Sequence, residues 1–91
     1  MVEKKIRFLN TNDMIKFCGV CQKMQADIDV GILGDRLGFI DGKSLMGLMT
    51  LKLGEKMRLI VNGEDEALSE RYFSEYEVKE LPDIVQLAER A

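Results

Sequence analysis

Polar and apolar residues alternate from Lys4 to Asn10, so that Ile6 and Phe8 share one face of a half-buried strand. Asn10-Thr11-Asn12-Asp13 then supplies short side-chain oxygens suited to a turn and a helix N-cap. From Asp13 to about Met24 the period lengthens. Met14, Phe17, Cys18, Cys21 and Met24 fall on one helical stripe. Gly19 interrupts that helix at a cost of about 1 kcal/mol relative to Ala, which predicts close packing at that point. Alternation resumes over Ala26 to Ile32, with Ile28, Val30 and Ile32 on one side and Asp27, Asp29 and Gly31 on the other. After a Gly34-Asp35 turn, Leu37 to Ile40 forms the return strand of a hairpin with an irregular or bulged loop.

Asp41-Gly42-Lys43-Ser44 is the next turn, and Leu45 to Leu51 is a helix of about two turns that is too apolar for a simple surface helix. Gly54-Glu55 closes it, Met57 to Val61 is a strand, and Asn62-Gly63 ends that strand. The acidic residues Glu64, Asp65 and Glu66 suit the first turn of a helix, where they complement its dipole. Leu68, Tyr72, Phe73 and Tyr76 are its expected apolar face. Pro82 to Ala91 reads as a short extra helix, with Pro82 in its first turn. The order β-α-β-β-α-β-α predicts an α+β fold: a four-stranded antiparallel sheet with helices on one face, plus a short C-terminal extension. The domain is expected to span 1–79 and the helical extension 80–91. That extension has three open roles: docking back, mediating dimerisation, or fraying.

Composition narrows the chemistry. The 91 residues, 46% apolar and 32% charged, form one small soluble domain without room for a large enzyme. Thirteen basic against sixteen acidic side chains give a net charge of −3, which argues against a general nucleic-acid binder. The apolar runs are too short for a membrane span or a signal peptide. Two cysteines are too few for a secreted disulfide scaffold, so a reducing cytoplasm is expected. There is no histidine at all. Imidazole base catalysis, His-ligated metal and phosphohistidine chemistry are therefore excluded, and neither a metal nor a cofactor is expected.

The run Gly42-Lys43-Ser44-Leu45-Met46-Gly47-Leu48-Met49-Thr50-Leu51 resembles the regulatory-serine signature of the HPr family, the phosphocarriers of the bacterial sugar phosphotransferase system. Gly63-Glu64-Asp65-Glu66 is similar to the family's G-E-D-E segment at the start of its last helix. The resemblance covers roughly residues 2 to 77 and implies an open-faced β-sandwich. It also implies partners: phosphotransferase-system components, an HPr-type kinase, or a transcription regulator. Family members that carry phosphate have G-[LI]-H-A-R-P between the first strand and first helix. Here Leu9-Asn10-Thr11-Asn12-Asp13-Met14 stands in that region, shortened and without His, Arg or Pro. Histidine phosphotransfer needs an unprotonated imidazole nitrogen as nucleophile and a nearby cation, and neither Asn nor Thr supplies that nucleophile. Asp13 could accept phosphate as an acyl phosphate or cap the helix, and its setting favours the cap. The chain is thus expected to be no enzyme and unable to relay phosphate through histidine.

Two readings of Ser44 stay open. It is the phosphorylation site of a regulatory module, as the resemblance implies, or it is an N-cap worth about 0.5–2 kcal/mol. One helix face cannot bury the whole apolar run. Leu48 and Leu51 are expected against the sheet, with Leu45, Met46 and Met49 partly outward as an adaptable partner-binding surface. The alternatives are a structural or interaction protein without phosphoregulation, and a thiol redox protein using the C-G-x-C run Cys18 to Cys21. The latter needs a thiol at a helix N-terminus and a facing cis-proline. Cys18 and Cys21 fall mid-stripe, so burial as small hydrophobes is the expectation. Lys4-Lys5 and Lys52 to Lys56 read as solvated faces.

Overall fold

Val2 to Ile6 places every second side chain on one side of a strand, β1, and the burial follows that alternation. The computed structural model describes residues 1–33 and 38–78. After β1 come helix α1 (Thr11–Gln22), strands β2 (Asp27–Ile32) and β3 (Ile40–Asp41), the one-turn helix α2 (Leu45–Leu48), strand β4 (Met57–Asn62) and helix α3 (Ser69–Tyr72). Short 3-10 turns, Glu66–Leu68 and Ser74–Tyr76, flank α3. The sheet is antiparallel with order β1-β4-β2-β3, and the helices cover one face, as expected for an open-faced sandwich. The extra helix expected over 82–91 lies outside the described residues.

The core forms where the inward sheet positions Ile6, Ile28, Val30, Met57, Leu59 and Val61 meet the α1 stripe. Phe17 is its hub. Its ring lies 5.0 Å from Phe8, 4.9 Å from Phe73 and 5.4 Å from Tyr76, within the range of favourable aromatic contact. Phe8 is fully buried although β1 ends at Ile6. The helix begins two residues earlier than the periodicity indicates, because Asn10 rather than Asp13 is the N-cap.

Several expectations need correction. Gly19 is exposed, and a Cβ built there meets nothing within 4 Å, so no packing constraint explains it. Gly19→Ala should therefore raise stability by about 0.5–1 kcal/mol, read as a higher urea midpoint at unchanged slope. The last helix is not continuous, and its buried face is Ser69, Phe73 and Tyr76. Leu68 and Tyr72 stay 39% and 38% exposed. The 3-10 turns on both sides shift the phase of the segment, and the small Ser69, its hydroxyl donating to the Glu66 carbonyl at 2.6 Å, fits beneath it. Strand β3 is two residues long and includes Asp41, which the sequence assigns to the following turn.

Lys4, expected on a solvated face, instead shares the inward face of β1 because it has the parity of Ile6, and its side chain is only 7% exposed. Its ammonium donates to Glu70 at 2.9 Å and reaches Glu77 at 3.5 Å. The Glu70 hydrogen bond, aided by the charge of Glu77, raises its pKa above the ordinary 10.5. Burial likewise pushes the Cys21 thiol and the Tyr76 phenol up from ordinary values of 9.0 and 10.0. All three groups hold their protons more tightly when folded. As pH rises past each ordinary value, the unfolded chain loses the proton first and stability falls. Denaturation free energy should hold level through neutrality and drop steeply from about pH 9 upward. Tyr76→Phe and Lys4→Met should each flatten part of that alkaline limb, measured by urea titration across pH.

Candidate functional site

The corner that carries Ser44 is built from three directions. Gly42 N–H donates to the Ile28 carbonyl at 2.8 Å, which fastens the turn to β2. A Cβ at Gly42 would lie 2.7 Å from the Ile28 methyl and 3.2 Å from Cys21 Sγ, so only glycine fits. The Asp41 side chain accepts from Lys43 N–H at 2.9 Å, and its carbonyl accepts from Ser44 N–H at 3.0 Å. From α1, Gln22 Nε2 donates to the Lys43 carbonyl at 3.3 Å.

Ser44 then opens α2 in extended geometry, and its Oγ accepts from Gly47 N–H at 3.2 Å. The residue as a whole is half-exposed. Gly47 lies so close to β3 that a Cβ there would come within 2.7 Å of Ile40. Leu48 is fully buried and Leu51 nearly so, while Met46 is 85% and Met49 55% exposed. Leu45 straddles the boundary, half-buried against the core. The α-helix stops at Leu48, a turn short of the expected length, with Thr50 and Leu51 continuing as tight turns.

The N-terminus of α1 is closed by its own side chains. Asn10 Oδ1 accepts from Asp13 N–H at 2.9 Å, and Asp13 Oδ2 accepts from Leu9 N–H at 3.0 Å. These reciprocal bonds satisfy two backbone donors. They make Asp13 the reciprocal partner of the Asn10 cap and place its negative carboxylate beside the start of α1. Beside this cap, Phe8 C=O accepts from Gly54 N–H at 2.7 Å. Gly54 adopts φ +82°, a left-handed backbone that favours glycine. Leu9 and Leu53, flanking that bond, are 67% and 44% exposed. Sequence reasoning missed both, since single apolar residues within polar loops carry no periodic signal.

The two cysteines lie where the helical stripe predicts, inside the core. Both are buried, and desolvation raises Cys21, the reverse of what a thiolate nucleophile requires. Among the described residues, no group of His, Cys, Asp and Glu is placed to hold a metal ion. No helix among them is long and apolar enough to cross a membrane.

The family model described as the PTS HPr component phosphorylation site matches residues 9–72. The chain belongs to the PTS HPr family. Members of this family are phosphocarriers of the phosphotransferase system and not classical enzymes. A solved structure, HPr-C-His from Thermoanaerobacter tengcongensis, is similar with a TM-score of 0.68 and 22% identity, covering 82% of this chain and 89% of that one. At that identity the likeness concerns the fold, and it agrees with the α+β open-faced sandwich described above. No curated protein matches the chain.

Proposed function

We propose that this HPr-family protein is a regulatory or protein-interaction module that does not relay phosphate through histidine. It receives phosphate at Ser44 and meets its partners through Leu45, Met46 and Met49. The observation that carries this reading is the pairing of a half-exposed N-cap serine with two protruding methionines, one on the same short helix and one at its C-cap. The absence of histidine from the sequence removes the nucleophile of ordinary carrier chemistry, and the Asp13 carboxylate at the start of α1 repels a phosphoryl group.

At Ser44, the hydroxyl oxygen would attack the terminal phosphorus of ATP bound to an HPr-type kinase. The bond from that phosphorus to the bridging oxygen breaks, ADP leaves, and the hydroxyl proton passes to the kinase. The product carries about −1.5 to −2 charges at pH 7, and the Gly47 N–H already directed at Oγ can accept that load. Helix α2 has four residues, so this local donor matters more than any macrodipole. Flexible thioethers can repack against unlike partners, which suits both phosphotransferase-system components and a transcription regulator. The protein acts in the cytoplasm, with 1–79 as the folded unit and 80–91 as an appendage.

Incubation with HPr kinase and ATP, followed by intact-mass measurement, tests the reading. Wild type should gain one phosphoryl group and Ser44→Ala none. No gain in wild type, or the same gain in Ser44→Ala, would remove the regulatory role and leave an unmodified interaction protein. Met46→Asp should keep stability within about 0.5 kcal/mol, as expected for an exposed site, while losing binding to purified phosphotransferase components. Unchanged binding would remove the docking surface.

A further inference from the structure

The sheet face away from the helices is covered by no described element, and its pattern appears only when the strands are set in register. Asp29 of β2 stands directly opposite Asp41 of β3, with Ile60 of β4 on its other side. Asp27 lies on the same side of β2, so three exposed carboxylates fill one corner. No ion pair among the described residues reaches any of them. Like charges directly opposite one another are unfavourable, and burial, Asp41 and Asp27 hold the Asp29 carboxyl above its ordinary value. An apolar strip adjoins the corner. Ile60 is half-buried, and the Phe39 ring covers Gly31 so closely that a Cβ there would sit 2.8 Å from it. Phe39 stays 37% exposed, and Leu33, just past β2, 39%.

The chain itself carries a segment that matches this face. Val78 N–H donates to the Lys5 carbonyl at 2.8 Å, so the described residues end on the outer edge of β1. Beyond it, Ile84, Leu87, Ala88 and Ala91 fall at i, i+3, i+4 and i+7, one helical stripe, and Arg90 flanks that stripe beside Leu87. The step from Val78 to Pro82 can reach about 13 Å, enough to turn from the edge onto the face. A helix over 82–91 is about 15 Å long, a fair match to the strands beneath it.

We infer that residues 82–91 form a helix seated on the open face and parallel to β4, with Ile84 and Leu87 on the Ile60–Phe39 strip and Arg90 over the acidic corner. Handedness supports this direction. Strands β1 and β2 are parallel, each being antiparallel to β4, and a crossover through a helix such as α1 is right-handed. On the opposite face, a right-handed helix running parallel to β4 turns its Leu87–Arg90 flank toward β2 and β3. Run the other way, that flank would face β1. The rise from Pro82 to Arg90 is about 12 Å, which carries the guanidinium from the Arg7 end of the sheet to the row of Asp29 and Asp41. A cation in the last turn also complements the helix dipole. The strip is small, but a tethered segment meets it at high effective concentration.

Nuclear Overhauser spectra of the full chain read the contact. Methyl groups of Ile84 and Leu87 should touch the Phe39 ring and Ile60, with intensities unchanged on dilution. Leu87→Asp, a change outside the described domain, should erase those contacts and move the Gly31 and Ile60 amide signals to undocked positions. Arg90→Glu should move the same signals part of the way along the same line, a loss of about two- to fivefold in the docking constant, as for one exposed ion pair. Adding Asp29→Arg to Arg90→Glu should restore the Leu87 contacts. Missing contacts in wild type, contacts that fade on dilution and so belong to a second copy, or Leu87 methyls found against Tyr72 or Met46 would each overturn the inference. So would an Arg90→Glu chain that docks as wild type does, or a folded double variant without the Leu87 contacts.

Discussion

Phe17→Ala should cost about 3–5 kcal/mol, the usual toll for removing a buried aromatic ring. Three other rings pack on Phe17 at centroid distances of 4.9–5.4 Å. They come from the loop after β1, from the end of α3 and from the 3-10 turn beyond it. The resulting cavity would lie between segments tethered on several sides, so it can collapse only in part. A small domain has roughly 5–10 kcal/mol of stability in total, so the variant should be substantially unfolded at physiological temperature. Urea unfolding followed by circular dichroism measures this as a large fall in midpoint with the slope retained. A loss under about 1 kcal/mol would mean that the rings close over the gap, and Phe17 would not be the hub of the core.

Asp65→Ala should be the next most damaging change, at about 2–4 kcal/mol. The carboxylate accepts from the backbone N–H groups of Gln25 and Ala26, both at 2.8 Å, across some forty residues of sequence. Hydrogen bonds to a charged group are worth about 1.5–3 kcal/mol each, and losing the acceptor leaves a partly buried amide without one. Asp65→Asn keeps one carbonyl oxygen and should lose about half as much. Amide exchange at Ala26 should accelerate in both variants, more in the alanine. The adjoining Gly63 supports the same junction, because a Cβ there would lie 2.6 Å from the Ala26 backbone. Gly63 and Asp65 thus act as a clasp on the connection between α1 and β2.

That clasp marks a boundary of what the chain reveals unfolded. Local periodicity identifies the four strands, α1 and the outward methionines, because each depends on neighbours two to four residues away. The Gly63-Glu64-Asp65-Glu66 run looks like a simple acidic helix start, since the partners of Asp65 stand far upstream. Lys4 has the same parity as Ile6 and Phe8, yet nothing local shows that Glu70 and Glu77 will receive its ammonium. Leu68 and Tyr72 satisfy a helical repeat that two tight turns then interrupt. At the candidate site, Ser44, Met46 and Met49 were legible through one contiguous run. The Asn10–Asp13 closure was half legible, as a cap of uncertain register, while Leu9 and Leu53 became visible only once Gly54 had joined their two loops. The acidic corner of the open face needed strand register, which no single segment encodes.

The segment after α3 has a consequence for how the protein behaves in crowded solution. Arg7 N–H donates to the Tyr76 carbonyl and Val78 N–H to the Lys5 carbonyl, at 2.9 and 2.8 Å, with Ile6 bridged to Glu77. The groups that β1 would hold out as a template for foreign strands are in this stretch already engaged by the protein's own backbone. The far border, β3, is two residues long, too short to seed a cross-β stack. Both routes to fibrillar growth are thereby blunted by backbone pairing and by shortness, in addition to the lysines of β1, and cleavage just before Tyr76 would reopen the longer one.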